Sequence, residues 1–220
     1  MLVRDPLGVL LGEVAAGRPP AADLSVTVLP RAPGRAVAAV LGFVAHHVVA
    51  ADVDPDWVRR TVPAGSLSAR MGPAFLTALA GWVGVEPGGQ DMVLVARPGR
   101  PANPADPANP GHPPELRPAD GSAHPRLDRA RRYRDEVTAW TTDGGLVTLG
   151  RGLAGRWEVS IEVAPGCRGG GLGRRLAAAA LDLVPAGAPL WAQVHPSNVA
   201  SVRAFLAAGY RPVGAEVLFV

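Results

Sequence analysis

The chain contains no lysine, only one cysteine, and no apolar run long enough to cross a membrane. All 22 basic residues are therefore arginine. The lone Cys167 excludes an internal disulfide framework and a cysteine-rich zinc centre. A catalytic thiol would need a base, and none is evident beside it, so Cys167 is expected to be a small, semi-buried filler. No cluster with metal-ligand spacing is present, and no metal is expected. The longest uncharged stretch, residues 36–51, is too short for a membrane span and carries His46-His47. It reads as a buried helix, 33–46, leading into a strand, on which adjacent histidines would face opposite ways. The apolar run 7–11 is bracketed too tightly by Pro6 and Glu13 for a signal peptide. A cytoplasmic protein with no membrane partner is expected. The formal charge of +3, with 19 acidic residues nearly balancing the arginines, gives little reason to expect a nucleic-acid partner.

What the chain does have is 48% apolar residues, which excludes disorder throughout. At 220 residues there is room for one domain with a substantial core or for two small ones. Residues 98–125 are dense in proline, with Pro-Ala-Asn-Pro repeated, and are expected to form an extended linker or long loop. The expected organisation is an α/β region over 1–97, this linker, and a second domain over 126–220. In the first region, 25–30 and 91–96 read as strands, Asp54-Pro55-Asp56 as a helix start, and 72–83 as an amphipathic helix. Val137 to Gly150 reads as a hairpin turning at Asp143-Gly144.

The most informative segment follows an alternating strand. Trp157, Val159, Ile161 and Val163 alternate with Glu158, Ser160 and Glu162, and Pro165-Gly166 end the strand. From Leu172 an alanine-rich helix runs to Pro185. Between them lie Arg168, Gly169, Gly170, Gly171 and Gly173, followed by Arg174 and Arg175. A helix N-terminus carries unpaired N–H donors and positive potential, and glycines let an anion approach them. The loop is not a Walker A sequence, because Gly173 is followed by Arg174-Arg175 rather than Lys and a hydroxyl residue. It is not the dinucleotide fingerprint either, because Arg174 or Leu176 occupies the third glycine position.

The remaining pattern, Arg168-x-x-Gly171-x-Gly173, resembles the pyrophosphate loop of the GNAT superfamily of acyl-CoA-dependent N-acetyltransferases. A second match follows: the apolar strand from Leu190, then Asn198-x-x-Ser201, a helix, and Gly209-Tyr210. The resemblance covers roughly residues 128–220 and implies a GNAT-like mixed central sheet flanked by helices, an α/β (α+β) fold. The N-terminal region would then shape the acceptor site or form a degenerate GNAT-like lobe of its own. It further implies acetyl-CoA as acyl donor and an amine of a small molecule or protein as acceptor, in a monomer or homodimer. Ile161, Glu162 and Val163 would contact the pantetheine arm, and Arg168, Gly169, Gly170, Gly171, Leu172, Gly173 and Arg174 would hold the pyrophosphate. Asn198, Ser201 and Phe205 would complete the cofactor side. Glu158 and Glu162, on the strand beside the expected thioester, are the candidates for general base, with His195 weaker; the position of another common family base is Gln193. Many members carry a Tyr seven residues after the motif Asn, and here that position is Phe205. The proton donor to the leaving thiolate is then absent or replaced by Tyr210 or Tyr133. Phe205 and Gln193 also keep open a non-catalytic acyl-CoA-binding module.

Overall fold

Apolar strands and amphipathic helices sort into two compact units in the computed structural model, which describes residues 5–61, 65–98, 113–119 and 123–220. The first unit comprises Met1–Val93, Leu153–Gly155 and Val213–Val220; the second comprises Leu94–Gly152 and Arg156–Pro212. Most of the proline-rich stretch 98–125 lies outside the described residues.

The first unit opens with helix α1 (Pro6–Ala15), which is the apolar run flagged in the sequence. Asp5 caps it by accepting the Gly8 N–H at 2.7 Å, Pro6 fits the first helical position, and Leu7, Leu11 and Val14 are buried. Strands β1 (Val26–Leu29), β2 (Ala38–Phe43) and β3 (His46–Ala50) follow, then helices α2 (Pro55–Thr61) and α3 (Pro73–Val83). β3 pairs with β1 in parallel and with β2 in antiparallel fashion. Val40, Val49, Val58, Phe75, Leu79, Val217 and Phe219 fill the core between this sheet and α2 and α3.

The expected helix over 33–46 does not form: residues 38–43 are strand β2, 44–45 a turn, and His46 opens β3. Ala-rich local propensity favours helix, but β2 and β3 are buried almost throughout, and a strand covered on both faces shows no alternation. The turn between them, Val44-Ala45, contains no glycine, although Ala45 has φ 55°. The usual hairpin signal is therefore missing.

Strand β4 (Asp91–Ala96) runs from the first unit into the second. The second unit then contains β5 (Arg117–Pro118), helix α4 (Pro125–Tyr133), β6 (Asp135–Thr142), β7 (Gly145–Arg151), β8 (Trp157–Val163), helix α5 (Leu172–Ala179), β9 (Leu190–Val194) and helix α6 (Val199–Ala207). β5 to β8 pair antiparallel in sequence order and β8 pairs with β9 in parallel, giving a mixed sheet. β6 and β7 meet at the expected Asp-Gly turn, where Gly144 has φ 73°. Strand β10 (Arg211–Phe219) closes the chain, and its residues 215–219 pair antiparallel with β2. Among the described residues, no helix is long and apolar enough to cross a membrane.

Candidate active site

Strand β8 is held by β7 along its whole length, from Trp157 opposite Arg151 to Val163 opposite Gly145. Its parallel register with β9 ends at Val159 opposite Ala192. Both strands continue beyond that point, to Val163 and Val194, so their last residues part. Ile161 to Val163, beyond that register, lead into the glycine loop.

The loop begins with a 3-10 turn, Pro165–Cys167, and passes Gly169 (φ 83°) before Gly171 (φ 75°) caps α5. These left-handed angles favour glycine over any residue with a Cβ. A Cβ at Gly169 or Gly170 would meet nothing within 4 Å, so these positions face open space. Arg175 donates to the Gly170 carbonyl at 2.9 Å and Arg168 donates to the Val163 carbonyl at 3.2 Å, fixing both ends of the turn. No side chain caps the first N–H groups of α5. Free donors, dipole and arginines thus converge where an anion can reach them. Gly173 faces the packed side of the helix, where a Cβ would come to 3.5 Å from Val163 and 3.6 Å from Ala204. Leu172 is buried beneath the loop. Cys167 is exposed, not semi-buried as expected, and its sulfur lies against the β6–β7 turn, where a Cβ on Gly144 would overlap it.

Asn198 caps α6 by accepting the Ser201 N–H at 3.2 Å. Phe205, expected against the cofactor, is 3% exposed and meets Tyr210 edge-on at 4.9 Å. The Tyr210 hydroxyl donates to the Ala177 carbonyl at 3.1 Å, and burial pushes its ionisation well above the ordinary range. This pair ties α6 to α5 and offers no ready proton. Tyr133 is half-buried, with the Arg129 and Arg132 guanidiniums 5.1 and 5.7 Å from its ring. His195 is exposed, its Nδ1 2.6 Å from the Ser197 hydroxyl.

The opposite face of β8 carries the two candidate bases, and arginines from α4 and its flank meet both. Glu158, 2% exposed, accepts from Arg134 at 3.0 Å on one oxygen and from Arg156 at 2.8 Å on the other. Burial alone would raise its carboxyl, but Arg156 and then Arg134 outweigh it and hold the group ionised. The expectation of Glu158 as general base meets a carboxylate whose oxygens are both occupied and whose proton affinity is low. Room for it comes from Gly152, where a Cβ would overlap the carboxylate. Arg134 reaches further, to the Val159 carbonyl and the Gln193 side-chain oxygen, both at 3.4 Å. Glu162 is 38% exposed; its hydrogen bond from Arg126 at 2.8 Å lowers its carboxyl, burial opposes, and the charges of Arg126, His124 and Arg168 add to the lowering. Between the two carboxylates, Ser160 and Thr148 share a 2.6 Å hydrogen bond.

Arg134 and Arg156 escaped the reading of the sequence. Arg134 sits in a run of arginines and differs from Arg131 and Arg132 only in phase. With Leu127 and Ala130 it follows i, i+3, i+7 spacing, the buried stripe of α4. Arg156 carries no comparable local mark.

Comparison with known proteins agrees with this strand, loop and helix. Residues 119–210 match the Acetyltransferase (GNAT) family. Among solved structures, a GCN5-related N-acetyltransferase from Kribbella flavida is 17% identical, with a TM-score of 0.39. The match covers 66% of this chain and 63% of that one, under two thirds of its length. No curated protein matches the chain. Residues 119–210, which hold the parting strands, the glycine loop and the Asn198 cap, are an acetyltransferase domain of the GNAT family.

Proposed function

We propose that the chain transfers an acetyl group from acetyl-CoA directly to an amine of a small molecule or protein. The observation that carries this reading is the continuity of the β8–β9 parting with the uncapped N-terminus of α5. A pyrophosphate fits the loop because its donors lack side-chain partners and its glycines at 169 and 170 face open space. The residues that would hold it are Arg168 to Arg174, with Ile161 to Val163 along the pantetheine arm and Asn198 and Ser201 beside it.

In the reaction the amine nitrogen bonds to the thioester carbonyl carbon, the carbon–sulfur bond breaks, and the thiolate takes a proton. Glu162 carries the base role in this reading, since it keeps solvent contact on the same strand. Its lowered carboxyl makes it a weak base, so the proton leaves through water and the acceptor's own ionisation governs the rate. Glu158 holds Arg134 in place. With Phe205 and Tyr210 buried, the thiolate leaves without an acid from these rings, which a thiol of pKa about 8.5 tolerates near neutral pH.

Calorimetric titration with acetyl-CoA, followed by thiol release across a panel of amines, tests the proposal. Binding with acceptor-dependent release is expected. Binding without release favours an acyl-CoA-binding module, the reading that Phe205 and Gln193 would suit, and absence of binding refutes both.

A further inference from the structure

Outside residues 119–210, the buried cation Arg70 has no counter-ion among the described residues. Arg70, in the 3-10 turn Ala69–Met71, is 3% exposed, and its Nε and Nη1 have no hydrogen-bond partner. Among the described residues no carboxylate pairs with it. Nearby, His47 is 1% exposed and its Nδ1 is likewise unpartnered. His47 and Gly42 are register partners on β3 and β2. Gly42 lies against both elements: a Cβ there would sit 3.4 Å from Met71 and 3.8 Å from the His47 ring. Position 42 thus lies in ordinary contact distance of both the imidazole and the turn that carries Arg70.

Burying a guanidinium without an acceptor is unfavourable, and a native fold rarely leaves several such atoms together. We propose that Arg70 and His47 form a binding site for a phosphate group, as free phosphate or on a small phosphorylated molecule. The guanidinium supplies charge and N–H donors to phosphate oxygens. The imidazole supplies the discriminating contact. Burial first, then the charge of Arg70, keeps it neutral, and it bonds to the Leu67 backbone. With Nδ1 unpartnered, the donor to that backbone is Nε2, which leaves Nδ1 as an acceptor. A phosphate near neutral pH offers both the negative oxygens that Arg70 requires and an O–H for Nδ1, whereas sulfate and acetate offer no O–H.

The test uses the full chain, with inorganic phosphate, sulfate and acetate as probes. The His47 ring resonances and the melting temperature are followed together. Because the glycine loop also attracts anions, each titration is repeated in the Gly171→Glu variant. Saturable binding of phosphate that shifts His47, persists in Gly171→Glu, is at least about tenfold tighter than sulfate or acetate, and is lost in Arg70→Gln supports the site. No shift of His47, equal binding of sulfate, or unchanged binding in Arg70→Gln overturns it. Should Arg70→Gln fail to fold, the His47 shift in the wild-type chain still decides. Extending the titration to a phosphorylated sugar separates the two sources of the group.

Discussion

Replacing Glu158 by Gln separates two roles for this strand that the sequence left together. The substitution keeps the shape of the side chain and removes its charge, leaving Arg134 and Arg156 buried, adjacent and mutually repelling. Removing one partner of a buried ion pair costs about 3–5 kcal/mol, and here one carboxylate serves two guanidiniums, so the upper part of that range applies. Against a total stability of about 5–15 kcal/mol, that is a large share. For a chain of this size each kcal/mol moves Tm by about 2–4 °C, so a fall of about 8–20 °C is expected by calorimetry or circular dichroism. Activity measured well below the lowered Tm should drop far less than the loss of a general base would require, about 10²–10⁴-fold. Changing all three together (Arg134→Met, Arg156→Met and Glu158→Leu) should recover much of the stability, because no charge is then stranded. A Tm within about 2 °C of wild type with turnover collapsed would refute the structural reading and return Glu158 to the chemistry.

Gly171→Glu puts a carboxylate at the mouth of the loop and a Cβ where φ is 75°, so calorimetric acetyl-CoA binding should vanish while the fold persists. Phe205→Tyr should leave acetyl-CoA binding intact but cost about 1–3 kcal/mol, because the added hydroxyl enters a packed contact with Tyr210. If its turnover is unchanged or falls, the missing-acid idea is wrong. Asp23 is pulled down to about 2, mainly by its 2.9 Å hydrogen bond with His46. A depressed carboxyl contributes stability that is present above its unfolded value of about 3.9 and lost as pH falls toward 2. Asp23→Asn should flatten that part of the acid denaturation curve, and an unchanged acid limb would show that the pair does not anchor β1.

Where the two faces of a segment differ in polarity, its sequence is legible: β8 alternates, α5 shows its alanines and leucines, and Asp143-Gly144 turns where turn chemistry demands. β2 and β3 failed for the opposite reason, since burial on both sides erases the pattern by which helix and strand are told apart. β10 was not read as a strand, and its pairing with β2 joins residues far apart in the chain, which no local period encodes. The exposure of Cys167 depends on how its loop lies over the Gly144 turn, which no local pattern encodes.

The candidate site divides along the same line, and β8 shows why. Alternation placed Ile161 and Val163 on one face and Glu158, Ser160 and Glu162 on the other, and the structure keeps that division: Gly173 of α5 touches the first face, while Arg126 and Arg134 meet the second. The alternation says that two carboxylates share a side; it does not say whether solvent or a helix covers them. That depends on α4, whose Leu127-Ala130-Arg134 stripe brings one arginine inward while Arg131 and Arg132 stay outside. Once Arg134 is buried there, a counter-charge on the facing strand offsets much of the cost of enclosing its guanidinium. Glu158 supplies that counter-charge, Gly152 makes the space, and this carboxylate is thereby engaged with Arg134. Glu162, four residues closer to the loop and still in contact with solvent, is for that reason the carboxylate of this strand to which the proposed reaction gives the base role.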